Sequence, residues 1–392
     1  MPTLPEDVLA LRSEMVALRR ELHAHPELSQ QESRTSARVA EFLSGARLDL
    51  RRVAGTGLLA SVSGEGPRTV LLRVDLDALP IQEASAVPYA SRVPGVMHAC
   101  GHDGHAAIGA AAARVLASRR PPGGVRVLFQ PAEETSRGAQ AALAEGVLAG
   151  VDAVLSIHLW NELAVGTLGV KAGPLMAAAD RLRIVVHGRG GHGAIPHRAA
   201  DPVVAAAQIV TALQTAVSRG VSPLDAAVVT IGSIHGGAAP NVIPDEVTLT
   251  GTVRTFDARL RREMRERILQ IASGVAKGLG CQAETELAPS NPAVVNDERV
   301  AALARRVAVR LVGEANVVVP TPTMGGEDAA LYLERVPGCY VFVGSANAAR
   351  GLAGPHHSPR FDFDEDALAI GCAFLVEAAE ELLRERPASA SG

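Results

Sequence analysis

Short apolar segments alternate with alanine-rich helical segments along the chain, and this alternation limits the fold more than any other feature. The segments TVLLRV (69–74), VRVLF (125–129) and AVLSI (153–157) are rich in Val, Leu and Ile, and helical patterns at 104–118 and 138–148 separate them. Uniformly apolar strands that alternate with helices are typical of a parallel sheet covered on both faces. The sequence therefore predicts an α/β fold with a mainly parallel sheet.

The middle of the chain follows a different order. Its predicted elements are a strand at 181–188, a helix at 201–219, strands at 226–234 and 246–256, a helix at 258–278 and a strand at 281–287. This β-α-β-β-α-β order is ferredoxin-like. Because 392 residues exceed one ordinary core, we expect one domain from 1–179 and 291–392 and an inserted α+β domain at 180–290.

The composition excludes several classes of protein. A net charge of -4 and 3% aromatic residues argue against nucleic-acid binding. No apolar run is long enough to span a membrane, and the first residues do not resemble a secretion signal. The cysteines at 100, 281, 339 and 372 contain no C-x-x-C pair, which predicts a reducing, cytoplasmic location.

Polar residues follow the predicted strands where each strand ends. They are Asp75 and Asp77, Glu133 and Glu134, His158, and the pair His356 and His357. A dense segment, MHACGHDGHAA (97–107), precedes a helix of its own. Because ligands bind beyond the carboxyl ends of the strands in open α/β sheets, we expect these side chains at one edge of the sheet.

The residue types at this edge predict a metal centre. The candidate ligands are Cys100, His102, Glu134, His158 and His357. Five donors exceed what one tetrahedral zinc with an open position needs, and they suit two divalent ions that share a bridging ligand. The mixed sulfur, nitrogen and oxygen set accommodates Zn, Mn, Co or Ni.

The neighbours of these ligands have predicted roles of their own. Glu133 is the expected general base for a metal-activated water and then the acid for a leaving amine. Asp75 is expected to orient a ligand histidine. Asp103 has the same expectation or caps the following helix, and Asp77 caps a turn. Four other histidines are expected to be structural or exposed: His23, His25, His187 and His235.

Two readings of other classes stay open at this point. Cys100 beside His102 or His105 suits a cysteine nucleophile and its base. That hypothesis leaves four residues without a role: Glu133, Glu134, His158 and His357. A non-catalytic metal-binding scaffold is the other alternative.

The motifs resemble the di-metal aminoacylase/carboxypeptidase amidohydrolases, in the branch of hippurate hydrolases and auxin-conjugate hydrolases. The matching segments, in the family's order, are LRVDLDALPIQE (72–83), MHACGHDGHAA (97–107), FQPAEE (129–134), IHLW (157–160), GRGGHGAIPH (188–197), NVIPDEVTLTGTVRTFD (241–257), MGGEDAALY (324–332) and HHSPRFDFDE (356–365). They span nearly the whole chain. Cysteine at position 100 is specific to this branch, because other branches place Asp there.

The resemblance implies a di-metal hydrolase domain with an inserted lid domain. It implies the five metal ligands above and Glu133 as the acid/base. It also implies that His192 stabilises the oxyanion. Asn241 and Arg254 would contact the substrate, and Arg254 would bind the carboxylate of the substrate. The implied reaction is hydrolysis of an N-acyl amino acid, with dipeptidase or carboxypeptidase action as the alternative on the same site. A homodimer or homotetramer with contacts through the lid is also compatible with the resemblance.

Overall fold

The computed structural model of the chain describes residues 2–385. The chain divides into two compact units. The first extends to Leu175, includes Val295–Thr321 and resumes at Asp328, and the second comprises Met176–Val294 and Pro322–Glu327. The assignment of 1–179 and 291–392 to a catalytic domain, and of 180–290 to a lid, stays a prediction.

Helices of the described residues alternate with strands over most of the chain. The α-helices are α1 (Glu6–Ala10), α2 (Arg12–Ala24), α3 (Ser33–Phe42), α4 (His102–Arg119), α5 (Gly138–Ala144), α6 (Pro202–Ser218), α7 (Ala258–Gly278), α8 (Glu298–Val312), α9 (Ala330–Leu333) and α10 (Asp366–Arg384). Short 3-10 helices cover Pro196–Arg198, Glu314–Asn316 and Ala348–Arg350.

The strands range from two to twelve residues. They are β1 (Asp49–Val53), β2 (Gly57–Val62), β3 (Thr69–Asp75), β4 (Gly124–Gln130), β5 (Ala153–Ala164), β6 (Leu168–Gly169), β7 (Gly173–Met176), β8 (Ala178–His187), β9 (Gly191–His192), β10 (Ala227–Gly236), β11 (Val242–Ile243), β12 (Glu246–Thr255), β13 (Gln282–Asn291), β14 (Val294–Asn296), β15 (Val317–Val318) and β16 (Gly338–Ala346).

The first unit is built on an eight-stranded sheet with the order β1-β2-β4-β3-β5-β16-β6-β15. Its central strands β4, β3, β5 and β16 are parallel to one another. The antiparallel strands β1 and β2 extend one edge, and this pair was not predicted from the sequence. The central strands are almost wholly buried, because helices such as α4 and α10 pack against them. Because both faces of these strands are buried, their sequences are continuously apolar and do not alternate with polar residues.

The second unit contains a four-stranded antiparallel sheet with the order β10-β12-β8-β13. Helices α6 and α7 pack against each other and against this sheet. The apolar residues of one sheet face form a core with those of the two helices, including Leu249, Ile209 and Ile268. The predicted fold class, a mainly parallel α/β sheet with an inserted ferredoxin-like α+β domain, is confirmed.

One strand is longer than the sequence predicted. The apolar pattern indicates a strand that ends at 157, but β5 continues to Ala164. His158 therefore lies inside the strand, where it pairs with Phe342 of β16. The strand continues past 157 because His158, Leu159 and Trp160 still pair with β16, which satisfies their backbone groups.

No helix of residues 2–385 combines the length and the apolar composition that crossing a membrane requires.

Alanine should change the thermal stability in opposite directions at two helical glycines. A Cβ at Gly109 of α4 would lie 2.6 Å from Val74 Cγ2, whereas nothing lies within 4 Å of one at Gly274 of α7. Alanine gains about 1 kcal/mol of helix propensity over glycine, and overpacking a core costs about 1–3 kcal/mol. We expect Gly274→Ala to raise the melting temperature and Gly109→Ala to lower it, as measured by calorimetry. A stabilised Gly109→Ala protein would contradict the close packing of α4.

Candidate metal centre

Residues of metal-ligand type from separate segments of the first unit converge into one cluster. Donor atoms lie within 4.8 Å of one another in three overlapping sets: Cys100, His102 and His158; Cys100, Glu134 and His357; His102, Glu133 and Glu134. The structure thus brings together all five predicted ligands and Glu133. His356 is not one of them, because its Nε2 lies 2.9 Å from the carbonyl oxygen of Leu159.

Local backbone geometry presents these side chains. Gly101 has φ 93°, a left-handed conformation that glycine adopts without steric cost, and α4 begins at the next residue, His102. Cys100 and His102 therefore flank a sharp change of chain direction. His357 also has a positive φ, 62°, and its N–H donates to the carbonyl of Ala99 at 2.8 Å. This bond ties the loop of His357 to the loop of Cys100.

The side chains are close but separated by gaps that suit ions. Cys100 Sγ lies 3.5 Å from His158 Nε2. Glu134 Oε1 lies 3.9 Å from His102 Nε2 and 3.6 Å from His357 Nε2. The two spacings of Glu134 exceed a normal hydrogen bond between nitrogen and oxygen, whereas the contact of Cys100 with His158 is a hydrogen bond to sulfur. Within each set, the donor atoms lie close enough to one another to contact a common ion.

Backbone carbonyl groups orient two of the imidazoles. His102 Nδ1 lies 2.9 Å from the carbonyl oxygen of Asp77, and His158 Nδ1 lies 2.7 Å from that of Leu159. A carbonyl oxygen only accepts, so each Nδ1 carries the proton and donates. In the neutral form of each ring, Nε2 then carries the lone pair, and in His158 this atom lies on the side of Cys100. Neutral imidazoles held in this way are suited to bind a metal ion.

The electrostatics of the cluster also favour a cation. Burial raises the pKa of the Cys100 thiol well above its usual range, and the negative charge of Glu134 raises it further. A thiolate at this position therefore needs positive charge beside it. Burial lowers the pKa of His158 well below its usual range, so this imidazole is neutral. The donor set of thiol, imidazoles and carboxylate fits divalent transition metals.

Asp77 supports the cluster through the main chain. Its carboxylate accepts from the N–H of Glu133 at 3.1 Å and from the N–H of Glu134 at 3.0 Å. It also accepts from the hydroxyl of Ser29 at 2.6 Å. The sequence predicted only a turn cap for Asp77, because the segment it contacts lies 56 residues further along the chain.

Asp75 was expected to orient a ligand histidine, but its hydrogen bond is to His105, which is not one of the five candidate ligands. Its Oδ1 lies 2.6 Å from His105 Nδ1, and 3.8 Å from Nε2 of the candidate ligand His102. His105 Nε2 accepts from the N–H of Leu159 at 2.9 Å. Asp75 therefore acts on the site through His105 and the backbone next to His158. Arg73 also donates to Asp75 at 2.8 Å, inside the core.

A second buried ion-pair network lies beside the cluster and was not predicted. Arg19 is fully buried and donates to Asp103 at 2.8 Å and to Asp362 at 2.7 Å. Asp103 also lies 2.8 Å from Nδ1 of His23, which is buried. Arg19 thus links the first turn of α4 with the chain after His357. No local sequence pattern pairs an arginine of α2 with acids this distant.

The second unit carries the other predicted site residues. His192 Nδ1 accepts from the N–H of Ala194 at 3.0 Å, so a neutral His192 carries its proton on Nε2. Asn241 is exposed, and its carbonyl accepts from the N–H of Gly193 at 2.8 Å. This bond holds the segments of His192 and Asn241 together beside the β9–β11 pair. Arg254, on β12, is half-buried, and burial lowers the pKa of its guanidinium.

A mainly parallel sheet with this cluster defines a class of metal-dependent hydrolases. The chain belongs to the peptidase family M20/M25/M40, whose profile matches residues 71–381. It is 41% identical over 386 residues to the N-acetyl-L-cysteine deacetylase of Bacillus subtilis, covering 97% of this chain and 90% of that protein. It is 37% identical over 382 residues to the IAA-amino acid hydrolase ILR1-like 4 of Arabidopsis thaliana, covering 96% and 87%.

Solved structures agree with this assignment. The YXEP protein of Bacillus subtilis, a dinuclear metal binding peptidase from the M20 family, aligns with a TM-score of 0.86 and 39% identity, covering 96% of this chain and 99% of that one. A putative aminohydrolase from methicillin-resistant Staphylococcus aureus aligns with a TM-score of 0.90 and 34% identity, covering 97% and 98%. The predicted family is therefore confirmed, and the chain is a hydrolase that acts on amides.

Substitution of Cys100 tests the cluster directly. We expect Cys100→Ala to lower the affinity for a divalent metal by at least about 10-fold, because changes around a metal ligand already cost 10–100-fold. Titration calorimetry with Zn²⁺ or Mn²⁺, after chelation, measures the affinity. Cys339→Ala is the matched control, since Cys339 is also buried but lies in β16. Equal affinities of the two variants would remove Cys100 from the ligand set.

Proposed function

We propose that the protein hydrolyses the amide bond of N-acyl amino acids and releases a carboxylic acid and an amino acid. The observation that carries the proposal is the cluster of Cys100, His102, Glu134, His158 and His357 beside a further carboxylate, Glu133. Relatives that are named as an N-acetylcysteine deacetylase and an IAA-amino acid hydrolase support the substrate class.

The five donors would hold two divalent ions, Zn, Mn, Co or Ni. Such ions supply Lewis acidity, which polarises an amide carbonyl and lowers the pKa of water toward neutrality. Cys100 belongs to two sets of donors, one with His102 and His158 and one with Glu134 and His357, and it would help to hold an ion in either set.

Glu133 is the proposed acid and base. Its side chain is largely buried, and its backbone N–H is held by Asp77. Its carboxylate accepts a proton from the attacking water and then delivers it to the nitrogen of the leaving amine. A general base needs to stand within hydrogen-bond reach of that water, so the position of the Glu133 backbone matters for the rate.

Residues of the second unit are proposed to bind the substrate. His192 donates from Nε2 to the carbonyl oxygen as negative charge develops there, which the bond from Ala194 to Nδ1 supports. Arg254 pairs with the free carboxylate of the amino acid. No ion pair or hydrogen bond within residues 2–385 engages its guanidinium, which supports this role. Asn241 contacts the same part of the substrate.

The alternatives differ in how well the site supports them. A dipeptidase or carboxypeptidase would use the same residues, and relatives named as thermostable carboxypeptidases keep this reading as the second candidate. A cysteine nucleophile needs a lowered thiol pKa, whereas burial raises that of Cys100. A scaffold leaves Glu133 without a role. The cytoplasmic location and a homodimer or homotetramer stay predictions.

Substitutions of the adjacent residues Glu133 and Glu134 should have different effects. Glu133→Gln should lower kcat by about 10²–10⁴-fold and leave the bound metal in place, because it removes only the proton carrier. Glu134→Gln should lower the metal content itself. Metal analysis alongside N-acetyl amino acid hydrolysis separates the two effects. An active, well-folded Glu133→Gln enzyme would reject the acid/base assignment.

A substrate panel tests the proposed function. Acetyl, benzoyl and long-acyl amino acids and dipeptides are assayed after chelation and reconstitution with each metal. We expect N-acyl amino acids with free carboxylates to be the better substrates. Arg254→Ala should raise their KM by about 10- to 100-fold, since a charged hydrogen bond is lost, and should spare carboxylate-blocked analogues.

Arg183→Ala is the matched control for Arg254→Ala, because Arg183 is an exposed arginine of the neighbouring strand β8. Faster cleavage of dipeptides than of every N-acyl amino acid would favour the second candidate function. An equal loss on blocked and free substrates would contradict the role of Arg254.

A further inference from the structure

The segment that carries Glu133 and Glu134 has an unusual backbone. Ala132 has φ 54° and Ser136 has φ 56°, so two non-glycine residues within five positions adopt the left-handed region. This region is sparsely populated for residues with a Cβ, and it persists only where surrounding contacts enforce it. The turn is also tight, because a Cβ at Gly138 would lie 1.6 Å from the carbonyl oxygen of Pro131.

Two buried carboxylates hold three consecutive amides of this segment. The N–H of Ala132 donates to Glu32 Oε1 at 2.8 Å. The N–H groups of Glu133 and Glu134 donate to Asp77, as described above. Successive N–H groups around a left-handed residue form a concave anion site, and here protein carboxylates occupy it. Glu32 is the partner of the left-handed residue itself.

Glu32 is anchored by elements distant from the segment that it holds. It immediately precedes α3, where its carbonyl accepts from the N–H of Ser36 at 2.9 Å. Its Oε2 accepts from the hydroxyl of Thr56, in the turn between β1 and β2, at 2.5 Å. Thr56 therefore anchors one carboxylate oxygen of Glu32, and the other oxygen, Oε1, accepts from Ala132.

Burial of the Glu32 carboxylate is energetically unfavourable. Glu32 is fully buried, and burial raises its pKa. No Lys or Arg of residues 2–385 forms an ion pair with it. A buried acid without a cation is costly unless hydrogen bonds compensate for the lost water. Hydrogen bonds from Thr56 and Ala132 compensate for the lost water. The bond from Ala132 indicates that Glu32 serves to hold Ala132 in place.

We propose that Glu32 is a positioning residue for catalysis, which holds the left-handed Ala132 and thereby sets the position of the Glu133 carboxylate. The proposal rests on the proposed function, in which Glu133 carries the proton. Without the bond from Ala132, the segment keeps the support of Asp77 at Glu133 and Glu134, so the candidate ligand Glu134 remains held. The expected defect lies in the chemical step, since a displacement of about 1 Å can cost about 10²-fold in rate.

Three variants test this role. Glu32→Ala removes the acceptor of the Ala132 N–H, and we expect kcat to fall by about 10- to 100-fold with KM and metal content unchanged. Glu32→Gln keeps an acceptor oxygen and should recover most of kcat. Thr56→Val removes the second anchor and should give a smaller loss of kcat, which provides a test even if Glu32→Ala folds poorly.

The chain offers a closely matched control. Glu145 Oε1 accepts from the N–H of Ala54 at 2.8 Å, and Ala54 is also left-handed, with φ 51°. Glu145→Ala therefore removes the same kind of bond from the β1–β2 turn, which also carries Thr56, and should lower kcat no more than Thr56→Val does. Hydrogen exchange measures the contact itself, and we expect the Ala132 amide to lose protection in Glu32→Ala and not in Glu145→Ala.

The outcomes separate this proposal from the proposed function. Wild-type kcat in Glu32→Ala, an equal loss in Glu145→Ala, no recovery in Glu32→Gln, or a loss explained wholly by missing metal would each overturn the positioning role. If Glu133→Gln is fully active, the acid/base assignment fails whatever Glu32 does. If Glu133→Gln is inactive and Glu32→Ala is normal, the acid/base assignment stands and the role of Glu32 is rejected.

Discussion

The two aspartates at the end of β3 join the parallel sheet to the site, and the other contacts of the cluster build on them. Asp77 holds the amides of Glu133 and Glu134 and offers its own carbonyl oxygen to His102. Asp75 hydrogen-bonds to His105, which in turn accepts from the backbone beside His158. Three ligand-bearing segments therefore take their positions from one buried strand, whose own place is set by pairing with β4 and β5.

Charge compensation explains how so many ionisable groups can be buried together. Arg73 lies between Asp75 and Asp328, at 2.8 Å from each. Arg19 compensates Asp103 and Asp362 in the neighbouring network. Removing one partner of such a pair strands the other charge in a medium of low polarity, which costs about 3–5 kcal/mol. The cluster itself brings the Cys100 thiol together with the carboxylates of Glu133 and Glu134, and divalent ions suit such a set of donors.

The sequence predicted much of this site because the relevant signals are local. The density of Cys100, His102 and their neighbours indicated a metal centre, and the ends of apolar strands indicated the edge where the other donors lie. The contacts of Asp77, Glu32 and Arg19 left no such signal. The sequence predicted a turn cap at Asp77 and no role for Glu32, and Arg19 lies on a helix with other arginines. Their partners lie 57, 100 and 343 residues away.

The sequence alone determined the fold class and the kinds of donor, because strand and helix periodicity and side-chain chemistry are properties of short segments. It also indicated which family the chain belongs to. The tertiary structure decided which acid holds which amide, that Asp75 binds His105, and that His158 lies within a continuing strand. Those outcomes depend on hydrogen bonds and ion pairs between distant segments, whose partners are chosen only when the sheet and its helices pack.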